Sequence, residues 1–229
     1  MKHFRHTPAF TMLELVFVIA VIGIISALAL PRFERDNLQE AADQLASHIR
    51  YTQHLAMQDD KFDPNDNQWF KRRWQILFSP TANGTISYSI LSDTPSAIGK
   101  YQGNPKANAT YTKVSVARNP LDTNLYLIGT TYSTFDNSSD ERITKDLDIG
   151  KKYGIQNIAL SNSCKLYRST RIAFDYLGRP LRGTFHKYTS PYPAANNLIT
   201  NQCVITLTDS TGNNIQITIE PETGYTHIL

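Results

Sequence analysis

Three patterns of hydrophobic and polar positions follow one another along the chain. The first is an almost unbroken apolar run, FTMLELVFVIAVIGIISALAL from Phe10 to Leu30, closed by Pro31. It holds one acid, Glu14, and from Leu15 to Leu30 only Ser26 is polar. At about 1.5 Å per residue, a helix of about 21 residues reaches roughly 30 Å, the thickness of a bilayer core. The run is longer than the apolar part of a cleavable secretory signal. A helix buried in a soluble core would need polar breaks at helical spacing. The pattern therefore predicts a membrane-spanning helix over residues 10–31.

The second pattern has a helical period. Leu38, Ala41, Ala42, Leu45, Ile49, Thr52 and Ala56 fall at i, i+3, i+4, i+7 spacing, with Glu34, Asp36, Glu40, Asp43, Ser47 and Arg50 opposite. This reads as an amphipathic continuation of the same helix, one stripe of which packs on a domain. From Thr11 to Met57 such a helix would be about 70 Å long. Pro31 would kink it and Gly23 would weaken it, both acting as helix-breaking positions.

The third pattern has a period of two. Trp74–Phe78, Ile86–Leu91, Val114–Ala117, Leu125–Thr131, Ile155–Leu160, Arg171–Phe174, Val204–Thr208, Ile215–Ile219 and Tyr225–Ile228 read as strands. Turn signals separate them: Asn83-Gly84, Asn137–Asp140, the segment DYLGRPLRG at 175–183, and the glycines Gly212 and Gly224. Residues 93–113 and 188–197 read as polar loops. Sequential antiparallel pairing suits this spacing.

Composition refines the picture. The 229 residues carry a formal net charge of +3. Lys2 and Arg5 precede the apolar run, and without them 21 basic face 20 acidic residues. These two cations orient the N-terminus to the cytoplasm, although Arg32 and Arg35 flank the other end. The remainder is near neutral and gives no bulk electrostatic argument for nucleic acid. Lys71, Arg72 and Arg73 form a short basic run between two tryptophans, read as a solvated strand edge, with nucleic-acid contact as the alternative.

Candidate chemistry is sparse. The chain has no GxSxG, no phosphate-binding glycine loop, no dinucleotide fingerprint and no HExxH. No enzymatic activity and no cofactor are expected. His48 and His54 do not share a helix face. Asp59, Asp60, Asp63 and Asp66 lie in an acidic loop whose spacing does not match a helix–loop–helix calcium motif, so no metal site is expected. Cys164 and Cys203 lie in no CxxC or Cys/His cluster. Outside the cytoplasm, one disulfide between them is the natural assignment; two unrelated buried thiols are the alternative. Glu14 is the exception to the apolar run. A carboxylate there costs about 2.5–3.5 kcal/mol on insertion scales, which makes it a functional candidate; an interfacial acid beside the headgroups is the alternative.

The stretch AFTMLELVFVIAVIGIISALALPRF resembles the N-terminus of type IV prepilins and of type II secretion pseudopilins. The likeness rests on a short basic leader, Phe10 after the cut, Glu14 as the fifth residue beyond it, and Gly23 and Pro31 in the helix; Ala9 stands where the family usually has glycine. The segments YGIQNIAL, RIAFDYLGRP and ITLTDSTGNNIQITIEPETGY are similar, more loosely, to the GspH/FimT group of minor pilins and pseudopilins. The resemblance implies an α+β fold with a long N-terminal helix on antiparallel sheets, pilin-like. It divides the chain into a leader (1–9), a transmembrane and assembly segment (10–31), an amphipathic continuation (32–58) and an extracytoplasmic β-rich domain (59–229). It further implies cleavage between Ala9 and Phe10 by a prepilin peptidase and N-methylation of Phe10. Glu14 would then pair with the N-terminal amine of a neighbouring subunit as the subunit leaves the inner membrane. The implied partners are other pilin or pseudopilin subunits, the peptidase and an inner-membrane assembly platform, and the destination is a type IV pilus or a secretion pseudopilus. Two alternatives remain: a DNA-binding minor pilin, and a membrane-anchored extracytoplasmic domain that never polymerises.

Overall fold

The computed structural model describes residues 11–29, 36–80, 86–93, 101, 116–129, 141–191 and 195–229. Two units are distinguished, Met1–Asp36 and Asn37–Leu229. In the first, helix α1 spans Met12–Ala29. In the second, helix α2 spans Asn37–Gln58.

The single long helix expected from Thr11 to Met57 is therefore corrected to two. Residues 30–35, Pro31 among them, lie outside the described residues. Chain chemistry accounts for the division. Proline supplies no N–H and crowds the helical conformation of the residue before it. Asp36 immediately precedes α2 and is a favoured residue for a helix start. The 18 residues of α1 reach about 27 Å, short of the roughly 30 Å of a bilayer core. Among the described residues no helix is long and apolar enough to cross a membrane. Helix α1 runs through Gly23. The antiparallel α+β character stands; the long-helix, pilin-like architecture does not.

The second unit is built on two four-stranded antiparallel sheets. Strands β1 (Trp74–Pro80), β2 (Ile86–Ser92), β4 (Arg171–Phe174) and β5 (Pro180–Arg182) form the first, in the order β2-β1-β4-β5. Strands β3 (Ile155–Leu160), β6 (Cys203–Asp209), β7 (Asn214–Ile219) and β8 (Thr226–Ile228) form the second, in the order β3-β6-β7-β8. A short helix, α3 (Ile149–Tyr153), precedes β3; Gly154 closes it in the left-handed conformation.

Register aligns the apolar positions. Ile90, Ile76 and Ile172 stand side by side across the first sheet. Leu160, Ile205, Ile217 and Ile228 do the same across the second. Both rows feed one core, which α2 completes by touching β1 and β4 of one sheet and β6, β7 and β8 of the other. The stripe expected on α2 is buried from Ala41 to Ala56, with Ala46 added to it, while Leu38 is only partly buried. Burying Leu45 or Ile49 fully is worth about 1.5–3 kcal/mol each. A second, smaller core of Phe70, Ala173, Leu181, Phe185 and Tyr188 covers the other face of the first sheet.

Most expected strands are present, lengthened or shortened by a residue or two. Two are not. Within the described residues, 116–117 and 125–129 make only isolated bridges, Val116 with Leu91 and Tyr126 with Arg118 and with Ile143. They lie over β2, where Ala117 N donates to Ile90 O and Ile90 N donates to Leu127 O. This cover leaves every residue of β2 buried. Conversely, Pro180–Arg182 is a strand where a turn is expected. Proline is admissible there because it opens an edge strand. The turns expected at Asn83-Gly84 and at Asn137–Asp140 lie outside the described residues.

Candidate functional site

Of the positions singled out by sequence, Ala9, Phe10 and Pro31 lie outside the described residues. Glu14 lies in the first turn of α1. Its Oε2 accepts from the Thr11 backbone N–H at 2.9 Å and from the Thr11 hydroxyl at 2.8 Å. The Glu14 N–H in turn donates to Thr11 Oγ1 at 3.3 Å. This is a reciprocal helix cap, in which two otherwise unsatisfied N–H groups are satisfied by one Thr-x-x-Glu pair. The signal is present in the sequence as Thr11, two intervening residues and Glu14, and points to capping. Behind the cap, α1 is apolar on every side, and Leu13, Phe17, Ile19 and Ile24 are all well exposed.

The two cysteines are brought together. Cys164 and Cys203 form a disulfide with Cα atoms 4.7 Å apart. Cys164 ends a short 3-10 turn after β3, and Cys203 opens β6. Both belong to the second sheet's neighbourhood, while β4 and β5, between them in sequence, belong to the first. The disulfide therefore closes the excursion by which the chain leaves one sheet to complete the other.

The acidic loop and the basic run, read separately in the sequence, answer each other. Arg72 Nη2 lies 2.8 Å from Asp66 Oδ2, and Arg72 Nη1 lies 3.8 Å from Asp63 Oδ2. The Tyr101 hydroxyl donates to Asp66 and accepts from Arg72 Nε. Burial, then the hydrogen bond to Asp66, pushes the Tyr101 hydroxyl up to about 12. Lys71 Nζ donates to Gln68 Oε1 at 2.6 Å. Arg73 is buried and donates to the Pro191 carbonyl. All three cations of the run are thus held by the domain's own loops. Among the described residues no group of histidine, cysteine or carboxylate side chains is placed to hold a metal ion.

A polar lock on α2 escaped the sequence reading. Gln44 and His48 lie one turn apart on the helix. Gln44 Nε2 donates to the Tyr88 hydroxyl and to the Asp146 carbonyl, both at 2.9 Å. Gln44 Oε1 accepts from the Tyr153 hydroxyl at 2.8 Å and from Lys152 Nζ at 3.4 Å. All four capacities of the amide are used. The Tyr88 hydroxyl, accepting from Gln44, also hydrogen-bonds His48 Nδ1 at 2.6 Å. With the Tyr88 proton directed along that bond, the neutral imidazole carries its own proton on Nε2. Burial first, and then the nearby Lys152 ammonium, hold His48 down to about 4, against an opposing pull from Asp146. On another side of α2, Arg50 donates to the Thr226 carbonyl, and Gln53 Nε2 donates to the carbonyls of Gly178 and Thr223. The helix is held by polar contacts at both flanks of its apolar stripe.

No family model, no curated protein and no solved structure matches the chain.

Proposed function

We propose that the chain is a minor pilin or pseudopilin subunit. A prepilin peptidase cuts it between Ala9 and Phe10 and N-methylates Phe10. The apolar run 10–31 holds it in the inner membrane with the second unit outside the cytoplasm. It is then drawn by the assembly platform into a type IV pilus or a secretion pseudopilus. One observation carries the reading: a carboxylate, Glu14, set five residues after the cut in an otherwise apolar run that follows a short basic leader. The reading rests on that sequence rather than on the fold. The described helix alone falls short of a span, so membrane insertion is assigned to the full run of residues 10–31.

The physics of the step is a change of partner. A carboxylate in an apolar setting is tolerated when paired with a cation and costly when left alone. In the single chain Glu14 is satisfied by Thr11. Docking replaces that neutral partner with the charged N-terminal amine of a neighbour, a stronger, charge-assisted bond. The Thr11–Glu14 cap also favours a second reading, an anchored domain that never polymerises, since there the carboxylate needs no neighbour.

Mass spectrometry of the membrane-inserted protein from a strain with the peptidase tests the first reading. Loss of residues 1–9 and one added methyl on Phe10 are expected. Glu14→Val is expected to leave insertion and folding intact and to abolish incorporation into filaments. Normal incorporation of Glu14→Val excludes the pairing mechanism, and a chain that keeps its leader excludes the processing.

A further inference from the structure

The outer face of the first sheet carries a cleft of about 860 Å³. It lies where β1 and β4 run beside loops 166–170 and 184–190. That volume falls within the roughly 300–1,000 Å³ of small-ligand sites. Among the described residues its lining has three cationic side chains, Arg168, Arg171 and Lys187, and no acidic one. Arg168 and Lys187 come from the two opposing loops, and both are exposed. Arg171 stands on β4 opposite Leu77 of β1, with Nη1 donating to Gln75 Oε1 at 3.2 Å.

Three further observations mark the cleft as built for a ligand. Ser79 is in the lining, and its buried Oγ has no hydrogen-bond partner among the described residues. Tyr167, also in the lining, is 93% exposed and adopts φ +58°, a conformation that a bulky side chain rarely takes. Strain of this kind persists only where surrounding structure holds it. Here the loop is pinned on both sides: Ser169 Oγ donates to Gly183 O at 2.7 Å and Thr170 Oγ1 to Phe78 O at 2.8 Å. Finally, His186 beside the cleft is held below its ordinary range, by burial and then by Arg171, Lys187 and Lys71. The local potential is positive even though the chain is close to neutral overall.

We infer that this cleft binds a short acidic oligosaccharide, its carboxylates held by Arg168, Arg171 and Lys187 and one sugar face laid on Tyr167. Guanidinium groups match carboxylates bidentately. The hydroxyl-bearing Thr184 and Thr189 suit a ligand that itself carries hydroxyls, and Tyr offers an apolar ring face with a polar tip. A single-stranded nucleic acid needs a track of cations with successive aromatic platforms. This cleft is a local concavity with one exposed ring, and the basic run 71–73 is occupied elsewhere. The site lies in the second unit and stands independently of the filament reading.

Calorimetric titration of the full chain in detergent with trigalacturonate tests the inference. Saturable binding is expected, with maltotriose, the neutral counterpart, giving no comparable signal. The pair Arg168→Glu and Lys187→Glu, both at exposed positions, should keep the circular dichroism spectrum and weaken binding about tenfold to a hundredfold, the worth of one or two charge-assisted hydrogen bonds. Tyr167→Gly should weaken binding while raising thermal stability, because it relieves the positive φ. The inference is overturned by no saturation by trigalacturonate, equal affinity for maltotriose, an unchanged affinity in the charge-reversed pair, or full displacement by equimolar inorganic phosphate. Tighter binding of a short oligothymidylate, lost in the same pair, would overturn it in favour of nucleic acid.

Discussion

Lowering the pH through the histidine range should destabilise the second unit, in large part through His48. In the unfolded chain its imidazole titrates near 6.5. In the folded chain burial holds it down to about 4, with Lys152 acting in the same sense and Asp146 against it. Above about pH 6.5 both states are neutral at this position and stability is flat. As pH falls from about 6.5 to about 4, the unfolded chain takes up a proton that the folded chain refuses, so stability is lost across that window. At about 1.4 kcal/mol per pH unit the loss is about 3 kcal/mol. That is a substantial part of the roughly 5–15 kcal/mol that holds a typical domain folded. Protonation would also place a proton on Nδ1, against the hydroxyl proton that Tyr88 directs there. The assay is urea unfolding followed by the fluorescence of Trp69 and the buried Trp74, at pH values from 7.5 to 4.5, comparing the natural chain with His48→Gln. His186 is displaced in the same direction, and the variant retains it, so the difference between the two proteins isolates His48. The natural chain should lose stability more steeply with acid than the variant. Parallel curves for the two proteins would refute the reasoning.

Other perturbations have equally definite outcomes. Replacing both Cys164 and Cys203 with serine opens a closure of 39 residues, and the loop-entropy relation puts the loss at about 4 kcal/mol; thermal melts should fall accordingly, and an unchanged melting temperature would show that the closure restrains nothing. Gly224 has φ +66°, and a Cβ there would meet Gly178 O at 2.5 Å and Gln53 Nε2 at 2.6 Å. Gly224→Ala should therefore cost more than the about 1 kcal/mol of a strained φ alone, read as a lowered urea midpoint, whereas Gly212→Ala, with nothing within 4 Å of its Cβ, should show only the conformational part.

Local pattern carried much of the fold. The buried stripe on α2, the strand β3 from Ile155 to Leu160, and the alternation of Cys203, Ile205 and Leu207 toward the core all follow from residue spacing. The division into two helices was also legible, in Pro31 and Asp36, although Pro31 read as a kink and Asp36 as part of the polar face. What spacing could not show was which strands share a sheet. Strands β3 and β4 are neighbours in sequence but belong to different sheets. A strand's period reports that one face is buried and is silent on its partner. The Pro180–Arg182 strand was invisible for a related reason: three residues have no measurable period, and only pairing with β4 makes them a strand.

The candidate sites divide in the same way. Glu14 stands out in sequence alone, because one carboxylate in an apolar run is conspicuous whatever surrounds it. Its pairing with Thr11 is local, three residues away, and equally readable. The disulfide was a conditional assignment until the sheets brought the two Cα atoms within bridging distance. The Gln44–His48–Tyr88 lock and the cationic cleft could not be read from the chain at all. Each assembles side chains from segments far apart in sequence, Gln44 with Tyr88 and Tyr153, and Ser79 with Arg168 and Lys187.

The sequence by itself thus determined what depends on near neighbours: the apolar run, the cap at its start, the periodic helix and the alternating strands. Only the tertiary structure decided the two-sheet partition, the pairing of Arg72 in the basic run with Asp63 and Asp66 of the acidic loop, and the burial that keeps His48 neutral. The physical reason is that hydrophobic spacing and capping act over a few residues. Burial, charge pairing and pocket shape depend on groups that meet only when the chain has folded.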